Sequence, residues 1–100
     1  MVPFWARDVA EDAEAEESLR GICNGFSRAE EIWEGAKWLL ARSPEIGEVL
    51  RGTNGIHVYK TPDWDVEGVV ALVIVYTHDE NRVVVHDVKA RKEASSRDEL

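Results

Sequence analysis

A chain of 100 residues with 44 % apolar side chains holds one globular domain, with no room for a second core, and is too apolar to be wholly disordered. Twenty acidic residues against twelve basic ones give a formal charge of −8, which disfavours a general nucleic-acid coat. The charge is uneven, however: residues 8 to 34 hold nine acids, whereas residues 82 to 92 hold Arg82, Lys89, Arg91 and Lys92 against Asp87 alone.

Val2, Phe4 and Trp5 read as a short leading strand or an apolar clamp on the core. From Asp8 the chain turns to Ala and Glu, strong helix formers, and Ala15, Leu19, Ile22, Cys23 and Phe26 recur at helical spacing. A helix from Asp8 to about Asn24 with an acidic outer face is expected. Cys23 falls on its apolar stripe as a buried thiol. As the one cysteine it excludes an internal disulfide and a cysteine-built zinc site.

Gly25 breaks this helix. Ser27-Arg28-Ala29-Glu30 has the capping-box pattern, and Ala29, Ile32, Trp33, Ala36, Leu39 and Leu40 make the stripe of a second helix. It must end before Pro44. Trp33 belongs to its core face. Trp38, five residues on, faces the first helix, the sheet edge or a partner.

Ser43 to Gly55 reads as a connector, with tight turns at Gly47, Gly52 and Asn54-Gly55. Ile56 to Thr61 reads as a strand and Pro62 to Gly68 as a polar loop carrying Trp64. Val69 to Thr77, nearly all apolar or β-branched, reads as a central strand covered on both faces. Asp79-Glu80-Asn81 is a turn, placing His78 in solvent, and Arg82 to Ala90 is the next strand. So short a turn favours an antiparallel hairpin. The expected fold is α+β, with two N-terminal helices packed on a small, mainly antiparallel sheet. Residues 1–92 form the domain and 93–100 a polar tail.

The longest apolar run, Val69 to Tyr76, is too short to span a bilayer, and no charged start precedes an apolar run. The cytoplasm is the expected compartment. His57, His78 and His86 are too scattered for a metal set, and no cofactor is expected.

Two passages carry a family resemblance. Ala36-Lys37-Trp38-Leu39-Leu40-Ala41-Arg42-Ser43-Pro44, followed by Gly47 and Leu50-Arg51-Gly52, resembles the helix-to-strand passage of the RelE/ParE toxins. The hairpin from Val75 to Val85 is similar to that family's closing strands, and the resemblance spans roughly residues 29 to 92. It implies a small toxin held inactive by an antitoxin, cleaving messenger RNA on the ribosome (RelE-like) or poisoning DNA gyrase (ParE-like). RelE-like enzymes gather Lys, Arg and often His or Tyr on the open sheet face, many with Arg-x-x-Tyr on the central strand. Tyr76 stands where that tyrosine would be, but Val73 replaces the arginine, removing a stabiliser of phosphate charge.

Cleavage by a 2′-hydroxyl needs a base near that oxygen, a cation over the phosphate and an acid for the leaving oxygen. Lys60, Arg82 and Arg91 are the candidate cations and His86 the candidate proton-transfer group. Arg51, on the turn after Leu50, is placed to approach the same edge. Strict alternation puts Arg82 and His86 on one face and Lys89 on the other, so all of them serve one site only if the strand carries a bulge or the strand end contributes. The alternative class is a non-catalytic interaction module, binding a protein partner or a second copy through Trp64, Trp38 and the sheet edge.

Overall fold

The computed structural model describes residues 7–26, 28–62 and 71–91. Among these the chain runs through β1 (Asp8–Glu11), α1 (Ala13–Gly25), α2 (Ala29–Arg42), a 3-10 turn (Pro44–Ile46), β2 (Glu48–Val49), β3 (His57–Lys60), β4 (Ala71–His78) and β5 (Arg82–Arg91). The strands form one sheet in the order β1-β5-β4-β3-β2, antiparallel except where β1 runs parallel to β5. Three strands were expected from the sequence, and the described residues form five.

The largest departure is at the start. Asp8 to Glu11 is not helical but extended, with Asp8 opposite Arg82 and Glu11 opposite Val85. Helix α1 starts only after Asp12, whose extended backbone and side chain form the N-cap, Oδ1 accepting from the Ala15 N–H at 3.0 Å. Pairing with β5 overrides the helix propensity of this short segment, because it packs Val9 against the core.

α1 buries Ala15 and Leu19, with Ile22, Cys23 and Phe26 packed alongside at partial burial. Cys23 is thus half-buried rather than enclosed. α2 buries Ala29, Trp33, Ala36 and Leu40, spaced to fall on one stripe, and ends at Arg42 ahead of Pro44. Ser27 lies outside the described residues. Arg28 sits at the N-cap without a side-chain cap bond, forming instead an exposed 3.1 Å pair with Glu31.

The connector is more ordered than a loop. Pro44 is buried in the 3-10 turn, and β2 adds an edge strand through Glu48 opposite Val58. The turn back to β3 places Gly52 and Gly55 at φ 81° and 82°, a region that side chains with a Cβ rarely occupy. In the β4–β5 hairpin the Asp79 carboxylate accepts the N–H groups of Asn81 and Arg82 at 2.8 and 2.9 Å, fixing the turn.

Both helices contribute to one core on one side of the sheet. Leu72, Ile74 and Tyr76 of β4 and Val83, Val85 and Val88 of β5 meet Leu19, Trp33 and Leu40 there. A fully buried Leu, Ile or Val contributes about 1.5–3 kcal/mol relative to exposure, so this layer dominates stability. β4 is central, as expected, but only one face is covered throughout. On the other, Val73 and Val75 are half-buried. β-branched residues suit the pleat on either face, so the apolar run alone did not reveal the open one. The early apolar residues Val2, Phe4 and Trp5, the loop bearing Trp64 and the tail lie outside the described residues.

Candidate functional site on the open sheet face

β5 does not alternate strictly. Its buried residues are Val83, Val85 and then Val88, a step of three. Tyr76 of β4 opposes Val85, while Val75 opposes Asp87, leaving His86 as the extra residue of a bulge. The expectation that Lys89 faces away from Arg82 and His86 is therefore corrected. The bulge turns Lys89 and Arg91 to the side opposite the core, where Arg82 and His86 already point.

Register brings Lys60 to the same face. Lys60 opposes Val73, and Val73 opposes Lys89, so the three lie in one row across β3, β4 and β5. At about 4.8 Å per strand the backbones of Lys60 and Lys89 stand roughly 10 Å apart. Arg91 is opposite Ala71, one step along. Lys60, Arg82, Lys89 and Arg91 are all exposed. Lys89 lies 3.5 Å from Asp87, which also accepts from Ser18 Oγ at 3.2 Å, so part of its charge is compensated. Lys60 and Arg82 have no ion-pair partner among the described residues. Arg51 lies in the exposed turn that precedes β3.

His86 is held at both ring nitrogens. Nδ1 is 3.0 Å from Asp12 Oδ2, and Nε2 is 2.9 Å from Thr77 Oγ1. The Asp12 carboxyl is held below the ordinary aspartate range, first by the Ala15 N–H and next by His86. His86 remains 40 % exposed, so a ligand on the open face can reach it. Sequence reasoning missed Asp12 and Thr77. Their residue types gave no signal, because their approach depends on β1 docking beside β5.

Tyr76 takes no part in this face. A spacing of three along a strand puts positions 73 and 76 on opposite sides, and Tyr76 is on the covered one. Its hydroxyl donates to the Pro44 carbonyl at 2.5 Å and accepts the Gly47 N–H at 3.0 Å, and burial pushes its pKa up. It is a strut between the central strand and the connector.

His78, expected in a solvated turn, instead closes β4 opposite Val83. Its ring meets His57 edge-on at 4.7 Å, and its buried Nδ1 has no hydrogen-bond partner. Among the described residues no group of three or more His, Cys, Asp or Glu is arranged to hold a metal ion, and no helix is long and apolar enough to cross a membrane. Trp38 is 58 % exposed, with the Arg42 guanidinium 4.3 Å from its ring. Ile46, Val49 and Leu50, not singled out in the sequence, are also exposed on the connector and edge strand. Trp64 falls outside the described residues.

Two helices thus cover one face of a mostly antiparallel sheet, and the other face is open and carries the basic residues. The backbone is similar to a chain in the crystal structure of the toxin-antitoxin complex RelBE2 from Mycobacterium tuberculosis, with a TM-score of 0.68 and 19 % identity over 89 % of this chain and 95 % of that one. No family model and no curated protein matches the sequence.

Proposed function

We propose that this chain is the toxin-like member of a toxin–antitoxin pair, acting in the cytoplasm as an endoribonuclease on messenger RNA at the ribosome. The observation that carries this reading is the bulge at His86, which gathers His86, Lys89 and Arg91 on the face already holding Lys60 and Arg82. The acids are concentrated in the β1–α1–α2 part of the chain, so the net charge of −8 understates the potential over the basic strands.

In the reaction, His86 takes the proton of a ribose 2′-hydroxyl. That oxygen attacks the adjacent phosphorus, the bond to the 5′-oxygen breaks, and the departing oxygen is protonated from water or a neighbouring lysine. Lys60 and Arg91 stabilise the charge on the phosphate oxygens, while Arg82, at the far end of β5 and more than about 20 Å from Arg91, contacts a neighbouring phosphate of the RNA. Val73 puts an apolar side chain between Lys60 and Lys89, where the resemblance leads one to expect an arginine. Modest turnover follows.

Growth of bacteria after induced expression, alone and beside the neighbouring gene, tests the toxin reading, and mapping of cleaved transcripts tests the chemistry. Arrest relieved by the neighbour, with new transcript ends that disappear in the Lys60→Ala/His86→Ala double variant, is the expected result. Unchanged cleavage in that variant refutes the residue assignment. Arrest without transcript cleavage, with DNA gyrase inhibited, points to the ParE-like mode.

A second reading, a non-catalytic interaction module, draws on a different observation: Trp38, Ile46, Val49 and Leu50 are large, apolar and exposed on α2 and the connector. In the toxin reading these residues seat the antitoxin or another protein partner. In the module reading they are the function itself, and the partner includes a second copy. Unaffected growth together with a stable dimer in gel filtration favours the module.

A further inference from the structure

His86 draws its partners from two other elements. Asp12 closes the β1-to-α1 junction, and Thr77 lies near the end of β4. A carboxylate can only accept hydrogen bonds. One oxygen of Asp12 accepts the Ala15 N–H as the helix cap, and the other meets His86 Nδ1 at 3.0 Å. The proton of the neutral imidazole must therefore sit on Nδ1, leaving the lone pair on Nε2. Nε2 in turn faces the Thr77 hydroxyl at 2.9 Å.

From this geometry we infer that Asp12 is a positioning residue for proton transfer: it fixes His86 in the Nδ1–H form and presents basic Nε2 to hydroxyl groups arriving on the open face. In the resting protein Thr77 Oγ1 fills the place where an incoming hydroxyl is deprotonated. The tautomer follows from the contacts alone, whereas its use in cleavage rests on the ribonuclease reading. A helix cap by itself needs only one carboxylate oxygen. The second is committed to the extra residue of a bulge, 74 residues further along the chain.

Asp12→Asn separates the two roles. Asparagine caps a helix about as well as aspartate. The cap claims the amide oxygen, so the amide nitrogen is left facing His86, and that nitrogen can only donate. The imidazole must then accept at Nδ1 and carry its proton on Nε2, where it cannot serve as a base.

The test is long-range proton–nitrogen NMR on the nitrogen-15-labelled full chain, at a pH where the imidazoles are neutral. Wild type and Thr77→Val are expected to show His86 as the Nδ1–H form, and Asp12→Asn as the Nε2–H form with unchanged helix content. Wild type in the Nε2–H form, or a tautomer indifferent to Asp12→Asn, overturns the inference. In the cleavage assay Asp12→Asn is expected to lower kcat by roughly a hundredfold, the scale of a lost general base, with KM little changed. If wild type cleaves no RNA, the proposed function falls, and the NMR result still decides what Asp12 does. If cleavage is present and insensitive to Asp12→Asn, the ribonuclease reading stands and the catalytic part of the inference falls.

Discussion

Tyr76→Phe separates a strut from a catalytic tyrosine. The substitution removes one oxygen and leaves the ring in place, so no cavity opens. That oxygen makes two hydrogen bonds, donating to the Pro44 carbonyl in a buried setting and accepting the Gly47 N–H in a half-buried one. A net hydrogen bond contributes about 1 kcal/mol, and a buried group left without a partner costs about 1–3 kcal/mol. The Gly47 N–H can recover part of its loss from water, while the Pro44 carbonyl cannot. The expected destabilisation is therefore about 2–3 kcal/mol. At about 4–8 °C per kcal/mol for a domain of this size, Tm falls by roughly 10–20 °C. Urea unfolding followed by tryptophan fluorescence is the assay, with the midpoint lowered and the slope unchanged. A loss below about 0.5 kcal/mol refutes the strut. So does a variant of wild-type stability that no longer cleaves RNA, since Tyr76 would then be acting in the chemistry.

Three further expectations follow from the same structure. A Cβ at position 47 would stand 2.5 Å from Tyr76 Oη and 2.9 Å from the Val58 carbonyl, so Gly47→Ala should cost about 1–3 kcal/mol in urea unfolding; a neutral result would show that the connector yields freely. Asp79 is held below the ordinary aspartate range, chiefly by the Asn81 and Arg82 N–H groups. A carboxyl lowered in the folded state adds stability above its unfolded pKa of about 3.9 and loses it as pH falls through the lower folded value. Asp79→Ala should therefore flatten the acid limb of the stability profile below about pH 4, and an unaltered limb contradicts the assignment. Trp38→Ser, at an exposed position, should change stability by no more than about 0.5 kcal/mol while weakening partner binding in calorimetry. A large stability loss would place Trp38 in the fold rather than at an interface.

Elements set by local chemistry were legible in the sequence. The stripe from Ala29 to Leu40 and the stop at Pro44 place α2, and the Asp79 turn places the β4–β5 hairpin. Features set by distant partners were not. Asp8 to Glu11 carries helix-forming residues and becomes a strand only because β5 lies beside it. The bulge has a local trace, the apolar step of three from Val85 to Val88 around the polar pair His86-Asp87, but reading it requires the register with β4. Lys60 and Arg82 were expected on strands and lie there, while Arg91, expected just beyond one, closes β5. Their shared face depended on the bulge, and the partners of His86 depended on β1. Tyr76 shows the opposite failure: the motif spacing matched, but the pleat put the tyrosine on the wrong side.

The parallel strand β1 also sets the order in which the molecule is completed. Asp12 and His86 are separated by 74 residues, so their contact closes nearly the whole chain. Loop-closure entropy for such a span is on the order of 4 kcal/mol, and contacts of this range form late and slowly. During synthesis β1 leaves the ribosome first and must wait, unpaired, until β5 follows it. The helix pair and the hairpin can assemble from neighbours, but the imidazole gains its carboxylate only when the two ends of the domain meet. Until β5 follows, Asp12 can cap its helix but lacks the imidazole that its second carboxylate oxygen meets in the folded protein.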